Sequence, residues 1–516
     1  MLQIKELRMI HKKDLKVILE DFSCVLNDGD KAVIIGEEGN GKSTLLKWIY
    51  DPQMIEAYAE GTGERIMNQE RLGYLPQELP EDEKKRTLYE FFLQEPMFLE
   101  QTPKELGKFA KEFHIPIDFF YSGQEMETLS GGEKVKAQML RLLMAEPTVL
   151  LLDEPSNDID IETLEWLERL ILKWPHIVLY ISHDEVLIED TANMVIHIEQ
   201  VKRKTASRYT VAHVPYLQYK QERSDKFEKQ EQQALSERRE KKIRDEKYRK
   251  IYERVEHEQR VITRQDPAGG RLLKKKMHAV KSMEHRFERE DANMTQMPEE
   301  ESAIFFKLGD QNSAIPAGKT VIEYTLDELP TPDGERVLAR NIRLQVRGPK
   351  KVCIIGTNGV GKTTLLKKIA EELLARTDIR VEYMPQNYEE LLDMEQTPVD
   401  YLDKSGEKEE RTRIRTFLGA LKYTPDEMNR PIMELSGGQK AKVFLLKMSM
   451  SGANVLILDE PTRNFSPLSG PVIRQMLSAF PGAIISISHD RKYVDEVCDT
   501  VYRLTSDGLI PEKGVY

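Results

Sequence analysis

One series of short motifs occurs twice in this 516-residue chain, and the repeat constrains the fold more than any other feature. Each copy contains a glycine-rich GxxxxGK(S/T) loop, a Pro-Gln pair, an LSGG segment, an Asp-Glu-Pro triplet and a Ser-His-Asp triplet, in that order. Corresponding motifs lie 306 to 320 residues apart, so the copies are nearly colinear. This spacing predicts two homologous domains in one chain.

The glycine-rich loops are predicted to bind phosphate. Their glycines let backbone N–H groups surround phosphate oxygens, the Lys reaches the terminal phosphates, and the next Ser or Thr can hold Mg²⁺. Each loop follows an apolar segment, Ala32–Ile35 or Val352–Ile355, which predicts a buried strand. The predicted nucleotide-binding residues are Gly36, Gly39, Asn40, Gly41, Lys42, Ser43 and Thr44 in the first copy and Gly356, Asn358, Gly359, Gly361, Lys362, Thr363 and Thr364 in the second.

Two acidic pairs follow further apolar segments. Asp153 and Asp459 end predicted strands, where a carboxylate can orient the ligands of Mg²⁺. Glu154 and Glu460 come next and can polarise an attacking water. An isolated Asp-Glu pair is more often a surface turn, but the strand, the following Pro and the spacing from the loop agree in both copies. We therefore predict metal binding by the aspartates and catalysis by the glutamates.

One histidine and one glutamine complete each predicted catalytic centre. His183 and His489 follow the next apolar strand, where they can sense the γ-phosphate, although a single His at such a turn is more often structural. Gln77 and Gln386 are predicted to contact the nucleotide and to bind Mg²⁺ or position water, because both copies carry a Gln at the same point.

The LSGG segments form a second predicted anion site in each copy. Ser-Gly-Gly opens a helix, and a helix N-terminus favours negative charge. Because the segment is distant from the glycine-rich loop in sequence, it can serve a nucleotide that the other copy holds. The predicted residues are Ser130, Gly131 and Gly132 in the first copy and Ser436, Gly437 and Gly438 in the second. The apolar strands between motifs predict an α/β fold with buried parallel strands.

With these motifs the chain resembles proteins that contain two ATP-binding cassettes. The resemblance implies that ATP and Mg²⁺ lie between the cassettes, with Lys42 opposite Ser436 and Lys362 opposite Ser130. It also implies hydrolysis of ATP to ADP and phosphate at two composite sites. ATP would close the cassettes, and hydrolysis would open them.

A long charged segment, Tyr216 to Met294, separates the two copies. Its apolar residues recur three and four positions apart, which predicts two helices that pair as an antiparallel coiled coil. Pro and paired Gly within 263–270 predict that the helical run is interrupted there, at the tip of a hairpin. We predict cassettes at 1–213 and 298–516 and a hairpin at 214–297. The predicted apolar stripe comprises Tyr248, Ile251, Val255, Ile262, Leu273, Met277, Val280, Met283 and Phe287.

The hairpin is basic although the whole chain is acidic. From Arg238 to Lys281 there are 16 Lys and Arg against 7 Asp and Glu, whereas the net charge of the chain is −12. This contrast predicts a polyanionic partner, most simply nucleic acid. The alternative is a solvated coiled coil whose charges serve solubility. The residues predicted to contact phosphate groups are Arg238, Arg239, Lys241, Lys242, Lys274, Lys275 and Lys276.

Two cassettes joined by a charged hairpin resemble the ABC-F family, whose members are soluble ATPases that act on ribosomes. We expect a cytoplasmic protein with no membrane partner, because no apolar run approaches the roughly 18 residues of a membrane span and the N-terminus lacks a signal peptide. No DNA partner is expected either. The resemblance implies a functional monomer whose hairpin enters the tRNA exit site. Its tip would approach the P-site tRNA and the peptidyl-transferase centre, in contact with rRNA.

Within that family, a small insertion in the first cassette and a prominent hairpin are similar to the antibiotic-resistance branch, which implies ribosome protection. A housekeeping translation factor of the same family, which relieves stalled ribosomes, is the alternative. A transporter ATPase is disfavoured because such a subunit needs no basic hairpin. DNA-repair ATPases of related type usually have longer coiled coils or zinc cysteines, whereas Cys24, Cys353 and Cys498 are isolated and predicted to be core thiols.

Two departures from the cassette pattern affect the predicted sites. The loop after the catalytic Glu reads Asn157 to Asp160 in the first copy but Arg463 to Ser466 in the second, so an expected Asp is replaced by Ser. This difference predicts unequal ATP sites. The aromatic residue that usually stacks on adenine is not evident, since Lys13 and Asp333 lie near its expected positions. Selectivity for ATP over GTP is therefore open.

Overall fold

The computed structural model describes residues 1–201, 206–261, 267–295, 297, 308–309 and 313–512, with the backbone alone at 267–270. The chain divides into two compact units, Met1–Tyr216 with Glu301–Tyr516, and Leu217–Glu300. Among the described helices, none combines the length and apolar character of a bilayer span.

The first motif copy forms an α/β domain, here called cassette 1. Its strands are β1 Leu2–His11, β2 Val17–Leu26, β3 Lys31–Ile35, β4 Ala59–Met67, β5 Leu72–Leu75, β6 Val149–Asp153, β7 Ile177–Ile181, β8 Met194–Val201 and β9 Ala206–Ala212. Its helices are α1 Lys42–Tyr50, α2 Glu81–Lys84, α3 Leu88–Leu93, α4 Pro96–Glu100, α5 Pro103–Glu112, α6 Gly131–Met144, α7 Ile161–Lys173 and α8 Glu185–Thr191. The main sheet has the strand order β5-β6-β7-β3-β8-β9, and a smaller antiparallel sheet has the order β2-β1-β4.

The second copy forms a similar domain, here called cassette 2. Its strands are β10 Thr320–Pro330, β11 Val337–Arg347, β12 Lys351–Ile355, β13 Val381–Met384, β14 Val455–Asp459, β15 Ala483–Ile487, β16 Thr500–Thr505 and β17 Gly508–Glu512. Its helices are α11 Lys362–Leu374, α12 Pro398–Leu402, α13 Lys408–Ala420, α14 Gly437–Ser451, α15 Gly470–Ser478 and α16 Arg491–Val497. The main sheet, β13-β14-β15-β12-β16-β17, repeats the order of cassette 1, which confirms the predicted α/β repeat.

The central strands of both sheets are parallel and buried. Every residue of β6 and β14 is buried, as expected for apolar strands covered on both faces. Both strands end in an Asp, so the predicted acidic pairs lie at the carboxyl edges of their sheets. Cys24 and Cys353 are buried free thiols, as predicted, but Cys498 is only partly buried.

The charged segment forms the two predicted helices, α9 Tyr216–Val261 and α10 Pro267–Ala292. Residues 262–266 of the predicted stripe and tip lie outside the described residues. α9 ends at Val261 and α10 begins at Pro267, so the predicted two helices are confirmed, but the predicted break is wrong at Gly269 and Gly270, which lie within α10. Proline is tolerated at the first helical position, where its missing N–H has no intrahelical partner.

Contacts between α9 and α10 confirm antiparallel packing. The rings of Tyr248 and Phe287 are 5.9 Å apart, and Gln259 Nε2 donates to the carbonyl of Leu273 at 3.3 Å. The predicted stripe is wrong at Ile251, which is 42% exposed. Stripe residues that are buried are Val255, Leu273, Val280 and Phe287.

Candidate nucleotide sites at the cassette interface

Both glycine-rich loops end in a left-handed glycine that starts a helix. Gly41 caps α1 with φ of 86°, and Gly361 caps α11 with φ of 101°. A Cβ atom at Gly41 would also lie 2.0 Å from the Ile18 side chain, so the loop requires glycine there. The loop carbonyls hold the lysines, since Lys42 Nζ donates to the oxygen of Gly36 at 2.9 Å. Lys362 Nζ donates to the oxygen of Gly356 at 2.8 Å.

The strand-end aspartates lie beside the hydroxyl residues of these loops. Ser43 Oγ donates to Asp153 Oδ1 at 2.8 Å. Burial raises the pKa of Asp153 to about 6, although the hydrogen bond from Ser43 opposes this rise. Burial likewise raises the pKa of Asp459 to about 6, against a hydrogen bond from Thr363. Asp459 Oδ2 is buried and has no hydrogen-bond partner among the described residues.

In cassette 1 the catalytic Glu is paired with its His. His183 Nε2 lies 3.0 Å from Glu154 Oε1, and His183 Nδ1 contacts the carbonyl of Phe465 in cassette 2 at 2.7 Å. The Glu154 carboxylate and the Phe465 carbonyl are both acceptors, so the ring of His183 is held between two acceptor oxygens. Burial disfavours the ionised Glu154, but the charge and hydrogen bond of His183 outweigh burial and lower the pKa of Glu154. This glutamate is therefore an ionised, oriented carboxylate.

In cassette 2 the corresponding pair is separated. His489 Nε2 lies 3.8 Å from Glu460 Oε1, and His489 Nδ1 has no hydrogen-bond partner in the described part of the chain. Burial and the charge of Asp459 raise the pKa of Glu460 to about 8. Burial and the charge of Lys362 lower the pKa of His489 to about 3. Both groups are therefore mostly neutral near pH 7 in this arrangement.

The pKa of Glu460 gives a testable pH dependence of stability. Between its ordinary pKa of 4.5 and about 8, the folded protein holds a proton that the unfolded chain has lost, so stability falls as pH rises. Glu460→Gln removes this term, and we expect its melting temperature to exceed that of the wild type by a few degrees more at pH 8 than at pH 6. Thermal unfolding without nucleotide measures this difference.

Glu105→Gln is the matched control. Hydrogen bonds from Thr102 lower the pKa of Glu105, so its titration lies below this range and the substitution leaves the slope between pH 6 and 8 unchanged. Equal slopes in the wild type and Glu460→Gln would contradict the prediction.

A large cavity joins the predicted residues of the second site. Its volume is about 740 Å³, and both cassettes line it. Cassette 2 contributes Asn358, Gly359, Gly361, Lys362, Thr363, Thr364, Gln386, Asp459, Glu460 and His489, while cassette 1 contributes Ser130 and Gly131. The loop of one cassette and the LSGG segment of the other thus meet at one cavity. Gly132 does not line it and packs against Thr163.

The cavity of the first site is smaller and differently bounded. Its volume is about 440 Å³, and its lining includes the predicted residues Gly39, Gly41, Lys42, Ser43, Thr44, Gln77, Glu154 and His183. Ser436 and Gly438 of the opposite LSGG segment line a separate pocket of about 30 Å³. Gly36 and Asn40 line neither cavity, because Asn40 Nδ2 donates to the carbonyl of Ile198 and a Cβ at Gly36 would clash with the same oxygen. Both residues therefore lie against Ile198 and support the loop without lining a cavity.

Several residues at the interface were not predicted. Asp158 accepts from Arg463 Nη2 at 2.7 Å and from Gln386 Nε2 at 3.3 Å, and its carbonyl accepts from Asn358 Nδ2 at 2.6 Å. Its position in the loop after the catalytic Glu was the sequence feature from which this role could have been predicted. Asp158 therefore links the two cassettes beside the second cavity.

Aromatic rings also line the first cavity, although the sequence showed no evident adenine contact. His11 and Tyr58 lie there, whereas Lys13 does not line it. His11 Nδ1 is held 2.9 Å from Asp14 Oδ1. The two rings come from positions 47 residues apart in the chain, so the motif spacing did not identify them.

Oppositely charged side chains cross the interface away from the cavities. Cassette 1 contributes acidic groups of α7 and α8, and cassette 2 contributes cations of α15 and α16. Arg474 Nη2 lies 2.8 Å from Glu185 Oε2, and both side chains are only 3% exposed. Further pairs are Arg491 with Glu168 and Asp184, and Lys492 with Glu185 and Glu189. These ion pairs join the cassettes independently of the glycine-rich loops.

The fold and these interface cavities define a P-loop ATPase with two cassettes. Residues 19–157 and 339–463 match the family model described as ABC transporter, which covers more than half of the chain. The chain therefore belongs to the ABC transporter family, and it is an ATP-binding ATPase.

Individual relatives confirm the predicted resemblance to the ABC-F family. Ribosome protection protein VmlR of Bacillus subtilis is 26% identical, covering 96% of this chain and 85% of that protein. ABC transporter F family member 5 of Arabidopsis thaliana is 23% identical, covering 97% and 74%. A solved structure of RNase-L Inhibitor has a TM-score of 0.58 and 17% identity, covering 98% of this chain and 90% of that chain, and it supports the fold alone.

Proposed function

We propose that this chain is a ribosome-binding ATPase in which ATP closes two cassettes and thereby positions a basic hairpin on the ribosome. The observation that carries the ATPase part is the second cavity, where Lys362 and Thr363 of one cassette meet Ser130 and Gly131 of the other. A nucleotide in that cavity contacts both cassettes. Its binding energy therefore favours the closed arrangement.

The site residues are proposed to divide the chemistry as follows. Backbone N–H groups of the glycine-rich loops bind the phosphates, and Lys42 and Lys362 neutralise the terminal charge. Ionised Glu154 accepts a proton from the attacking water, while His183, which holds Glu154 through Nε2, reaches the γ-phosphate only when that bond is exchanged. Glu460 and His489 have the same roles at the second site once Glu460 is ionised.

The residues present also fit a hard divalent cation. Asp459 Oδ2, which has no hydrogen-bond partner among the described residues, and the Ser43–Asp153 pair supply the oxygen ligands that Mg²⁺ prefers. The proposed ligands are Ser43, Gln77 and Asp153 at the first site and Thr363, Gln386 and Asp459 at the second. When bound, Mg²⁺ would neutralise charge on the phosphates.

The ribosomal part of the proposal is supported by the hairpin charge and by the similarity to VmlR, which is named a ribosome protection protein. We propose a cytoplasmic monomer whose hairpin, within 214–297, contacts rRNA and the P-site tRNA from the tRNA exit site, near the peptidyl-transferase centre. Protection from antibiotics that bind there is the proposed outcome. Unchanged drug susceptibility on expression in a sensitive host, across peptidyl-transferase inhibitors and macrolides, would contradict protection.

Trapping the ATP-bound state tests ribosome binding. A Glu154→Gln, Glu460→Gln double variant binds ATP without hydrolysing it, so we expect it to cosediment with ribosomes in ATP but not in ADP. Equal recovery in the soluble fraction with either nucleotide would contradict the proposed cycle.

Hairpin cations that form no ion pair with any described residue provide a second test. Lys241 and Lys276 form ion pairs with Asp291 and Glu258 inside the hairpin, so they are less suited to phosphate contacts than predicted. We expect alanine at Arg238, Arg239, Lys242, Lys274 and Lys275 to weaken binding of the trapped protein and to flatten its salt dependence. Cosedimentation at increasing salt measures both effects.

Alanine at Lys5, Arg8, Lys104, Lys108 and Lys111, on exposed positions of β1 and α5, removes the same number of positive charges and is the matched control. Similar losses in both sets would mean that overall charge, and not the hairpin, determines ribosome affinity.

A further inference from the structure

The first glycine-rich loop carries two carboxylates that the second lacks. Glu37 and Glu38 occupy the positions of Thr357 and Asn358 in the second loop. Two negative charges in a loop that binds phosphate oppose its ligand unless something compensates them. The contacts of Glu37 and Glu38 therefore affect how the first site binds the phosphates of a nucleotide.

Both carboxylates contact the LSGG helix of cassette 2. Glu38 Oε2 accepts a hydrogen bond from the backbone N–H of Gly438, in the first turn of α14. Lys442, one turn further along α14, holds Glu37 Oε1 at 3.2 Å. A Cβ atom at Gly437 would lie 3.2 Å from Glu38 Oε1, so the carboxylate is seated closely against this helix start. Glu38 thus occupies the anion-binding end of α14.

The cavities show the consequence of this contact. Glu37, Glu38, Ser436 and Gly438 together line the small pocket of about 30 Å³, which leaves no room for a phosphate group. At the second site Ser130 and Gly131 line the same large cavity as Lys362. There the Asn358 amide turns to the carbonyl of Asp158 and leaves the LSGG segment open to the cavity.

We propose that Glu38 is a specificity-determining residue of the first site, where it takes the place of the terminal phosphate of a nucleoside triphosphate. This inference rests on the proposed binding of ATP between the cassettes. A nucleoside diphosphate can bind at Lys42 while Glu38 stays on Gly438. A triphosphate has to displace the carboxylate, because two anions cannot share one helix terminus. The first site therefore disfavours ATP relative to ADP, and its loop contacts cassette 2 without triphosphate.

Single-site proteins allow this preference to be measured. Lys362→Ala leaves the first site as the competent one, and Lys42→Ala leaves the second. The probes are fluorescent mant-ADP and the non-hydrolysable triphosphate mant-AMP-PNP, titrated in Mg²⁺ buffer. In the Lys362→Ala protein we expect Glu38→Asn to strengthen triphosphate binding about tenfold and to change diphosphate binding less than twofold.

The second loop supplies a reciprocal variant. Asn358→Glu in the Lys42→Ala protein transfers the carboxylate to the second site, so triphosphate binding should weaken about tenfold with diphosphate binding retained. Glu38→Gln keeps the side-chain size without the charge, and it reproduces the gain of Glu38→Asn if the charge is the cause. Circular dichroism before titration confirms that each variant is folded.

The outcomes separate this inference from the proposed function. Saturable binding of both probes with an unchanged triphosphate preference in Glu38→Asn would overturn the role of Glu38 alone. Parallel strengthening of both probes would overturn it as well, because it would indicate general charge relief. Absence of saturable binding in both single-site proteins would overturn the proposed interface sites, and the role of Glu38 with them.

Discussion

In an Arg474→Met variant we expect the free energy of unfolding to fall by about 3 kcal/mol. Arg474 joins the cassettes through a bond of 2.8 Å to Glu185, and its Nε donates to Glu496 at 2.8 Å. Removing the guanidinium leaves the negative charge of the buried Glu185 carboxylate less well neutralised. The loss lies at the lower end of the range for broken buried pairs, because Lys492 Nζ remains 3.3 Å from Glu185.

Two further variants test whether the loss comes from uncompensated charge. Arg474→Met with Glu185→Met replaces the pair with apolar side chains of similar size, which often costs little, so stability should recover relative to Arg474→Met. Arg430→Met breaks an exposed pair with Asp426, where 47% and 72% of the side chains are accessible, and should cost less than about 1 kcal/mol. Urea unfolding followed by circular dichroism measures all three. A double variant less stable than Arg474→Met would contradict this explanation.

The sequence predicted the elements of each cassette because their signals are local. A short apolar run such as Val149–Leu152, followed at once by a polar turn, is typical of a buried strand, and β6 covers that run. The loop glycines likewise indicated a phosphate-binding loop after each strand. The same order of motifs in both copies then predicted two homologous domains. These features depend on neighbouring residues, so a single chain contains enough information to predict them.

Contacts between the cassettes were less accessible to prediction. Glu38 and Gly438 are 400 residues apart, and His183 meets Phe465 through a backbone carbonyl that any residue could supply. Neither contact leaves a pattern in the sequence. The replacement of Asp by Ser466 did indicate an unequal interface, but it did not indicate that the two catalytic pairs would differ in spacing.

The hairpin illustrates a different limit. Its helices follow from composition, yet Pro267 proved compatible with a helix start and Ile251 with an exposed position. Polar residues lie on several faces of α9. The spacing of the apolar residues alone therefore did not determine which of them are buried. Positions facing α10, such as Val255, are buried instead.

We expect the two ATP sites to contribute unequally to turnover. At saturating ATP and pH 7, Glu154→Gln should lower kcat at least about tenfold, whereas Glu460→Gln should keep more than half of it. Glu154 is ionised and held 3.0 Å from His183, while Glu460 has a pKa of about 8 and lies 3.8 Å from His489. A base must be ionised to accept the proton of water. Phosphate release at saturating ATP measures both variants.

The reason for this inequality lies in the loops that cross the interface. Asp160 caps α7 through a hydrogen bond from the N–H of Thr163 at 2.9 Å, whereas Ser466 pairs with Ser469 at 3.1 Å. Next to Ser466, the Phe465 carbonyl accepts a hydrogen bond from His183, but His489 Nδ1 donates no such bond to any described residue. Glu165→Gln, an exposed position on α7, controls for loss of charge and should retain full turnover. Equal losses from Glu154→Gln and Glu460→Gln would show that the two catalytic pairs become equivalent when ATP binds.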